Sequence, residues 1–356
     1  MKFTFAPILF LLFFSCSTAR HVSHQFDATK DFEAFWQSFQ QHYALFDVKG
    51  VQWDSAYKQF RPAVTAQTSE SELVEILGKM VAPLRDGHIT ISKGDEVLYR
   101  GSRSSAFREL IRGKEAQFWN MVDQNLTRSG FGAINGVGPK YKEETLFYTG
   151  ATPDAAYIRI TRCFGAVASL YSDEAEAKDL AEMLRLWDSL LVAYGPKQKL
   201  IIDLRGNGGG HGGREMASRL LAAPTVTHSI ALRDSAGGFG PAAPQLLAPH
   251  SGVRFLKNVV VITSDRTASS AEDFALSLVQ QPHVQRVGMP TAGMFSDMYN
   301  LTLPSGLEVT FSHQRYLDTN GQPLEDKGVP VQAQVTNTAA DVENGIDPVL
   351  QKALAL

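Results

Sequence analysis

Lys199-Leu200-Ile201-Ile202-Asp203-Leu204-Arg205-Gly206-Asn207-Gly208-Gly209-Gly210 decides the architecture. Its unbroken apolar run predicts a buried strand. The strand then runs into a loop nearly free of side chains, where backbone N–H groups can approach a bound group closely. Three uses fit such a loop: a phosphate cradle, an oxyanion hole or a tight turn. It lacks the Lys-Ser/Thr ending of a phosphate-binding loop and the dinucleotide fingerprint. An oxyanion hole asks only for exposed backbone donors aimed at one point.

A second junction has the same form. Asn258 to Thr263 is another buried strand, and Ser264-Asp265-Arg266-Thr267-Ala268-Ser269-Ser270-Ala271-Glu272 leads from it into a helix beginning at about Ala268. A serine there is most commonly a helix N-cap. A hydroxyl at that position also gains from the positive end of the helix, and the following amide can point at the same centre.

Outward from these junctions the pattern stays β–α. Tyr157 to Ile160 reads as a strand, and Leu180, Met183, Leu184, Trp187, Leu190 and Leu191 mark a long amphipathic helix. A helix is expected from Arg214 to Leu221, a strand from Val284 to Val287, and a hairpin over Leu301 to Tyr316 turning at Pro304-Ser305-Gly306. The alternation predicts an α/β core on a mainly parallel sheet over residues 153–356. Residues 25–92 read as an N-terminal helical domain. Phe32, Phe35, Trp36, Phe39 and Tyr43 place an aromatic stripe on one helix face, and Ser69 with Glu72 has capping-box spacing. Residues 93–152 form a connecting segment with a short amphipathic stretch at Phe107 to Ile111 and a glycine-rich stretch from Ser129 to Gly138.

The chain has 356 residues, 44% hydrophobic and 20% charged, with a formal charge of −3, so nothing draws it to nucleic acid. Its first residues differ from the rest. Lys2 and the apolar run Ala6 to Phe14 have signal-peptide form, too short for a membrane span. They end in Ser15-Cys16, which resembles a bacterial lipobox, with Phe13 where that pattern prefers Leu. The expectation is a signal peptide over residues 1–16, export, and lipid anchoring at Cys16. Cys163 is then the one other cysteine, and a buried structural thiol is expected there. His211, His228, His250 and His313 show no metal-ligand spacing, so no metal and no cofactor is expected.

Several separated motifs together resemble the C-terminal processing (tail-specific) and tricorn-core serine peptidases. Asp203 to Gly210 is similar to their Asp-x-Arg-x-Asn-x-Gly-Gly, Ser269 to Glu272 to their Ser-x-x-Glu, and Gly288 to Gly293 to their Gly-x-x-Thr-x-Gly. The tail-specific branch places a lysine base just after that last loop, where this chain has Met294. Asp86-Gly87-His88 and Glu325-Asp326-Lys327-Gly328-Val329 instead resemble the histidine and glutamate elements of the tricorn-like branch, although Pro330-Val331 departs from the usual Pro-Asp.

The resemblance implies a crotonase-like spiral core behind the helical domain and no PDZ domain in the connecting segment. It implies Ser269 as nucleophile, His88 as base and Glu325, with Asp326 adjoining, as the orienting carboxylate. Gly209 and Ser270 would supply the oxyanion N–H groups, and Asp203, Arg205, Asn207 and Thr291 would shape the loops. The implied partner is a peptide or protein substrate. A non-catalytic peptide- or hydrophobic-ligand-binding protein is the alternative on the same frame, and an enzyme acting on acyl thioesters is a third class.

Overall fold

Asp27 opens the first helix: its carboxylate accepts the N–H groups of Thr29 and Lys30, which no helical carbonyl can serve. The structure, a computed structural model, describes residues 26–170, 173–234 and 237–356. The expected signal segment and Cys16 lie outside the described residues.

Helix α1 (Ala28–His42) buries Phe32, Phe35 and Phe39 against α2 (Trp53–Phe60) and α3 (Glu70–Val81). Ser69 and Glu72 close a reciprocal capping box at the start of α3. A hairpin of β1 (Thr90–Lys93) and β2 (Glu96–Arg100) follows, then α4 (Ala106–Ile111) and α5 (Glu115–Arg128). Strands β3 (Asn135–Tyr141), β4 (Glu144–Ala151) and β5 (Ala155–Ile160) lead to the long α6 (Asp173–Tyr194).

The strand of the deciding stretch is β6 (Lys199–Asp203), followed by α7 (Gly213–Ala217), β7 (Thr225–Leu232) and β8 (Ala243–Leu247). Then come β9 (Asn258–Thr263), α8 (Ser270–Ser277), β10 (Val284–Gly288), β11 (Met298–Thr302) and β12 (Glu308–Ser312). The chain closes with β13 (Gln314–Leu317), β14 (Ala333–Gln334), α9 (Ala339–Glu343) and α10 (Pro348–Ala355).

Seven strands form the central sheet in the order β14-β10-β9-β6-β5-β4-β3. It is parallel from β14 to β5, and β4 and β3 run antiparallel at one edge. Along β6, Leu200 and Ile202 pack with Trp187 of α6 and Phe274 of α8, whereas Ile201 packs on the opposite face with Phe118 of α5 and Leu350 of α10. Cover on both faces is why the run needs no polar alternation.

The N-terminal helices share their core with a distant part of the chain. Leu303, Leu307, Val309 and Phe311 join the α1–α3 cluster, and β1 pairs with β12 in a four-stranded sheet of order β11-β12-β1-β2. The expected hairpin ends sooner than Tyr316. Ser296 Oγ accepts the backbone N–H groups of His313 and Gln314, each at 2.9 Å, and breaks the strand there. Tyr316 then pairs with β7 in a separate sheet of order β13-β7-β8. The connecting segment 93–152 contains α5 and the β3–β4 hairpin.

Candidate active site

Ser269 stands at the junction of β9 and α8 with φ 53° and ψ −128°, a conformation that costs a residue with a side chain. Its neighbours hold it there. Ser269 N–H donates to Met294 O at 3.0 Å and to Glu272 Oε2 at 3.2 Å. The buried Glu272 also accepts from Thr291 Oγ1, Gly293 N and Met294 N, at 2.6, 2.6 and 2.7 Å. Burial pushes this carboxyl up to about 7 while the donors pull it down. Glu272 thus ties the start of α8 to the Thr291–Met294 loop. The neighbouring Ser270 differs in role: its Oγ accepts Gly213 N–H at 2.8 Å, whereas its own N–H has no acceptor among the described residues.

The glycine loop lies directly against this serine. A Cβ on Gly209, whose φ is 101°, would sit 2.7 Å from Ser269 Cβ and 2.8 Å from Ala268 O. Only glycine permits that approach. Gly209 N–H donates to Asn207 Oδ1 at 2.9 Å, so the donor expected at Gly209 is committed in this conformation. The N–H of Gly210 has no acceptor among the described residues. Asn207 O also receives Ala268 N–H at 3.1 Å, joining loop to helix start.

Below the loop, Arg205 pairs with Asp203 and Asp347 at 2.7 and 2.9 Å and donates to Asn337 at 3.0 Å. This buried network fastens the loop to the cap of α10. Cys163 is buried, its thiol pushed up to about 12, which leaves it protonated and poorly nucleophilic.

His88 belongs to the other layer. Arg85, at φ 47°, turns the chain after α3, and Asp86 Oδ1 accepts His88 N–H at 2.9 Å. The imidazole Nδ1 lies 3.2 Å from Ser312 Oγ and 3.9 Å from Asp86 Oδ1. Thr310 Oγ1 donates to His88 O at 2.7 Å, so β12 grips the residue from two sides. Burial lowers the imidazole pKa, Asp86 and Asp297 oppose this, and Lys49 adds to it. Met294 joins the two halves. A Cβ on Gly87 would lie 2.6 Å from Met294 Cε, and the same methionine accepts the Ser269 amide.

Among the described residues no hydrogen bond joins His88 to Ser269 or to Glu325. Glu325 is buried, and its Oε2 accepts Phe295 N–H at 3.2 Å. Its Oε1, Asp86 Oδ2 and Tyr43 Oη are buried without a protein partner. Burial, then the charge of Asp86, hold the Glu325 carboxyl well above the usual carboxylate range, with Lys49 opposing. Asp326, at φ 61°, turns toward Lys49 and pairs with its Nζ at 2.6 Å, although the lysine side chain is only 1% exposed.

Ser312, Tyr43 and Lys49 carry no local signal of a role here. Asp86 sat in the histidine motif without an assigned role, and its invitation was the Asx-type spacing to His88 N–H.

A serine strained at the start of a sheet-derived helix, against a glycine loop, is the candidate centre of this α/β frame. Residues 154–335 match peptidase family S41, and residues 27–82 match the tricorn protease C1 domain. The chain belongs to peptidase family S41, a family of serine peptidases.

Its fold is similar to that of a candidate peptidase from Parabacteroides merdae ATCC 43184, at 24% identity and TM-score 0.72, covering 93% of this chain and 96% of that one. Mature CPAF is similar at 12% identity and TM-score 0.61, covering 90% and 94%. A lipoprotein from Streptococcus agalactiae is similar at 17% identity and TM-score 0.53, covering 90% and 96%. No curated protein matches the sequence.

Proposed function

We propose that this chain is a peptidase working through an acyl-enzyme on Ser269. The observation that carries this reading is the strained Ser269 backbone, clamped by Met294 and Glu272 against Gly209 with the Ser270 N–H unspent. Ser269 Oγ attacks a peptide carbonyl while His88 takes its proton, and the leaving amine departs with that proton. Water, deprotonated by His88, then releases the acyl group and restores the serine. Ser270 N–H and a glycine-loop N–H receive the oxyanion; losing one such donor costs about 3–4 kcal/mol of transition-state stabilisation.

The serine–imidazole bond closes when substrate binds, since catalytic hydrogen bonds are often long in free enzymes. Asp86, 3.9 Å from the ring, is the nearer carboxylate to the imidazolium, and Glu325 lies close enough to feel the charge of Asp86. The frame is read as a crotonase-like spiral core with an N-terminal helical layer. Residues 1–16 are read as an export signal ending in lipid attachment at Cys16. The similar fold of a named lipoprotein accords with this, and loss of palmitate labelling in Cys16→Ala tests it.

A fluorophosphonate probe tests the enzyme reading. The wild-type chain should label, and Ser269→Ala and His88→Ala should not. A folded wild-type chain that stays unlabelled, while a control serine peptidase reacts, would sink it. The second reading, a non-catalytic binding protein, draws on the missing Ser269–His88 bond and predicts that silent outcome.

A further inference from the structure

Arg266 lies in the turn between β9 and α8, three residues before the serine. It is half-buried, and among the described residues its guanidinium has neither a hydrogen-bond acceptor nor an ion partner. The adjoining Asp265 is spent elsewhere: Oδ1 accepts from Ser105 Oγ at 2.8 Å and Phe107 N at 3.0 Å, and Oδ2 from Ala106 N. The charge that acts on Arg266 is Arg108, a second cation, which adds to the effect of burial in lowering its pKa. Partial burial of an unpaired cation is costly, and a ligand anion would relieve that cost.

Its position relative to the nucleophile is defined by the glycine loop. A Cβ on Gly208 would lie 3.0 Å from Arg266 Nη1 and 3.2 Å from Nη2. The next residue, Gly209, abuts Ser269 Cβ. On the other flank the half-buried Trp119 packs on Gly206, at 3.1 Å from a Cβ placed there. An extended peptide advances about 3.3–3.6 Å per residue. A substrate lying over Gly206–Gly209 with its carbonyl at Ser269 therefore brings a group one or two residues away to the guanidinium.

We propose that Arg266 is a specificity-determining residue that binds a substrate carboxylate one or two residues from the scissile bond. Its planar fork matches a carboxylate bidentately. The carboxylate is either the α-carboxylate of a peptide C-terminus, which would make the enzyme a trimmer of chain ends, or an Asp or Glu side chain. This inference rests on the peptidase reading above.

The test uses the full chain and a peptide library made twice, as free acids and as C-terminal amides, with Asp/Glu and Asn/Gln versions of each peptide. Cleavage is read by mass spectrometry and kcat/KM. The wild-type enzyme should prefer the carboxylate by about 10- to 100-fold, as a charge-assisted bond implies. Preference for acids over amides identifies the α-carboxylate, and preference for Asp/Glu over Asn/Gln identifies the side chain. Arg266→Gln should bring that ratio close to one, and Arg266→Lys should keep part of it. Equal cleavage by the wild-type enzyme, or an undiminished ratio in a folded Arg266→Gln, overturns the proposal while leaving the peptidase reading intact. A wild-type chain that fails to label with fluorophosphonate removes both.

Discussion

Ser269 and His88 each sit where their local backbone alone would not put them. The serine's positive φ is held by bonds from Met294 and Glu272, and the imidazole is held by Asp86 and Ser312. Burial disfavours the charged imidazole, so the neutral base persists below the ordinary histidine value of about 6.5. The acid limb of kcat/KM should therefore fall below pH 6.5. Asp86→Asn removes a charge that raises His88 and should move the limb lower, whereas Lys49→Met removes one that lowers it and should move the limb higher. Shifts in the opposite sense in both variants would discard this electrostatic account.

The same depressed pKa has a sign in stability. The unfolded chain takes up the proton first, so the His88 contribution is lost as pH falls through about 6.5 and levels off below the folded value. Burial, then the charge of Asp86, push the Glu325 carboxyl well above the usual carboxylate range, which favours its neutral form. Glu325→Gln, which mimics the neutral form that this environment favours, should cost less than about tenfold in kcat/KM, a change of about 1.4 kcal/mol. Asp86→Asn should cost more, and steady-state kinetics of the pair decides which carboxylate serves the histidine.

At the scale of elements, the site is a meeting of loops fastened by one carboxylate. Glu272 takes four donors, from Ser269 at the cap of α8 and from the Thr291–Met294 loop. Glu272→Ala strands the three donors of the Thr291–Met294 loop and should lower stability by about 3 kcal/mol or more, read as a denaturation midpoint. A smaller loss, within about 0.5 kcal/mol, would mean the two loops stand without it. Gly209→Ala tests the contact between junctions. Its Cβ would collide with Ser269 Cβ and Ala268 O, both held by the backbone. Fluorophosphonate labelling should drop by more than tenfold even in folded protein.

At the scale of the whole molecule, strand β12 joins the two layers. Phe311 is buried among the aromatic rings of α1, while Ser312 and Thr310 grip His88. Phe311→Ala should cost about 3–5 kcal/mol and reduce labelling of Ser269 in the protein that stays folded. Full labelling after such a loss would show that the helical layer does not set the base.

Much of this frame is written locally. The apolar run of β6, the β9–α8 junction, the aromatic stripe of α1 and the Ser69–Glu72 box each rest on neighbours within one or two turns, so periodicity and capping chemistry reveal them. The tertiary structure decided what periodicity cannot carry. The register between β1 and β12 brings Ser312 to His88 across more than two hundred residues, and packing sets Gly209 against Ser269 and Ala268. The packing of Asp86, Glu325 and Asp326 around Tyr43, with Lys49 acting on His88 and Glu325, sets charges that no single segment contains. Local spacing encodes elements because their partners are close along the chain; the site's electrostatics depend on distances that exist only once the chain has folded.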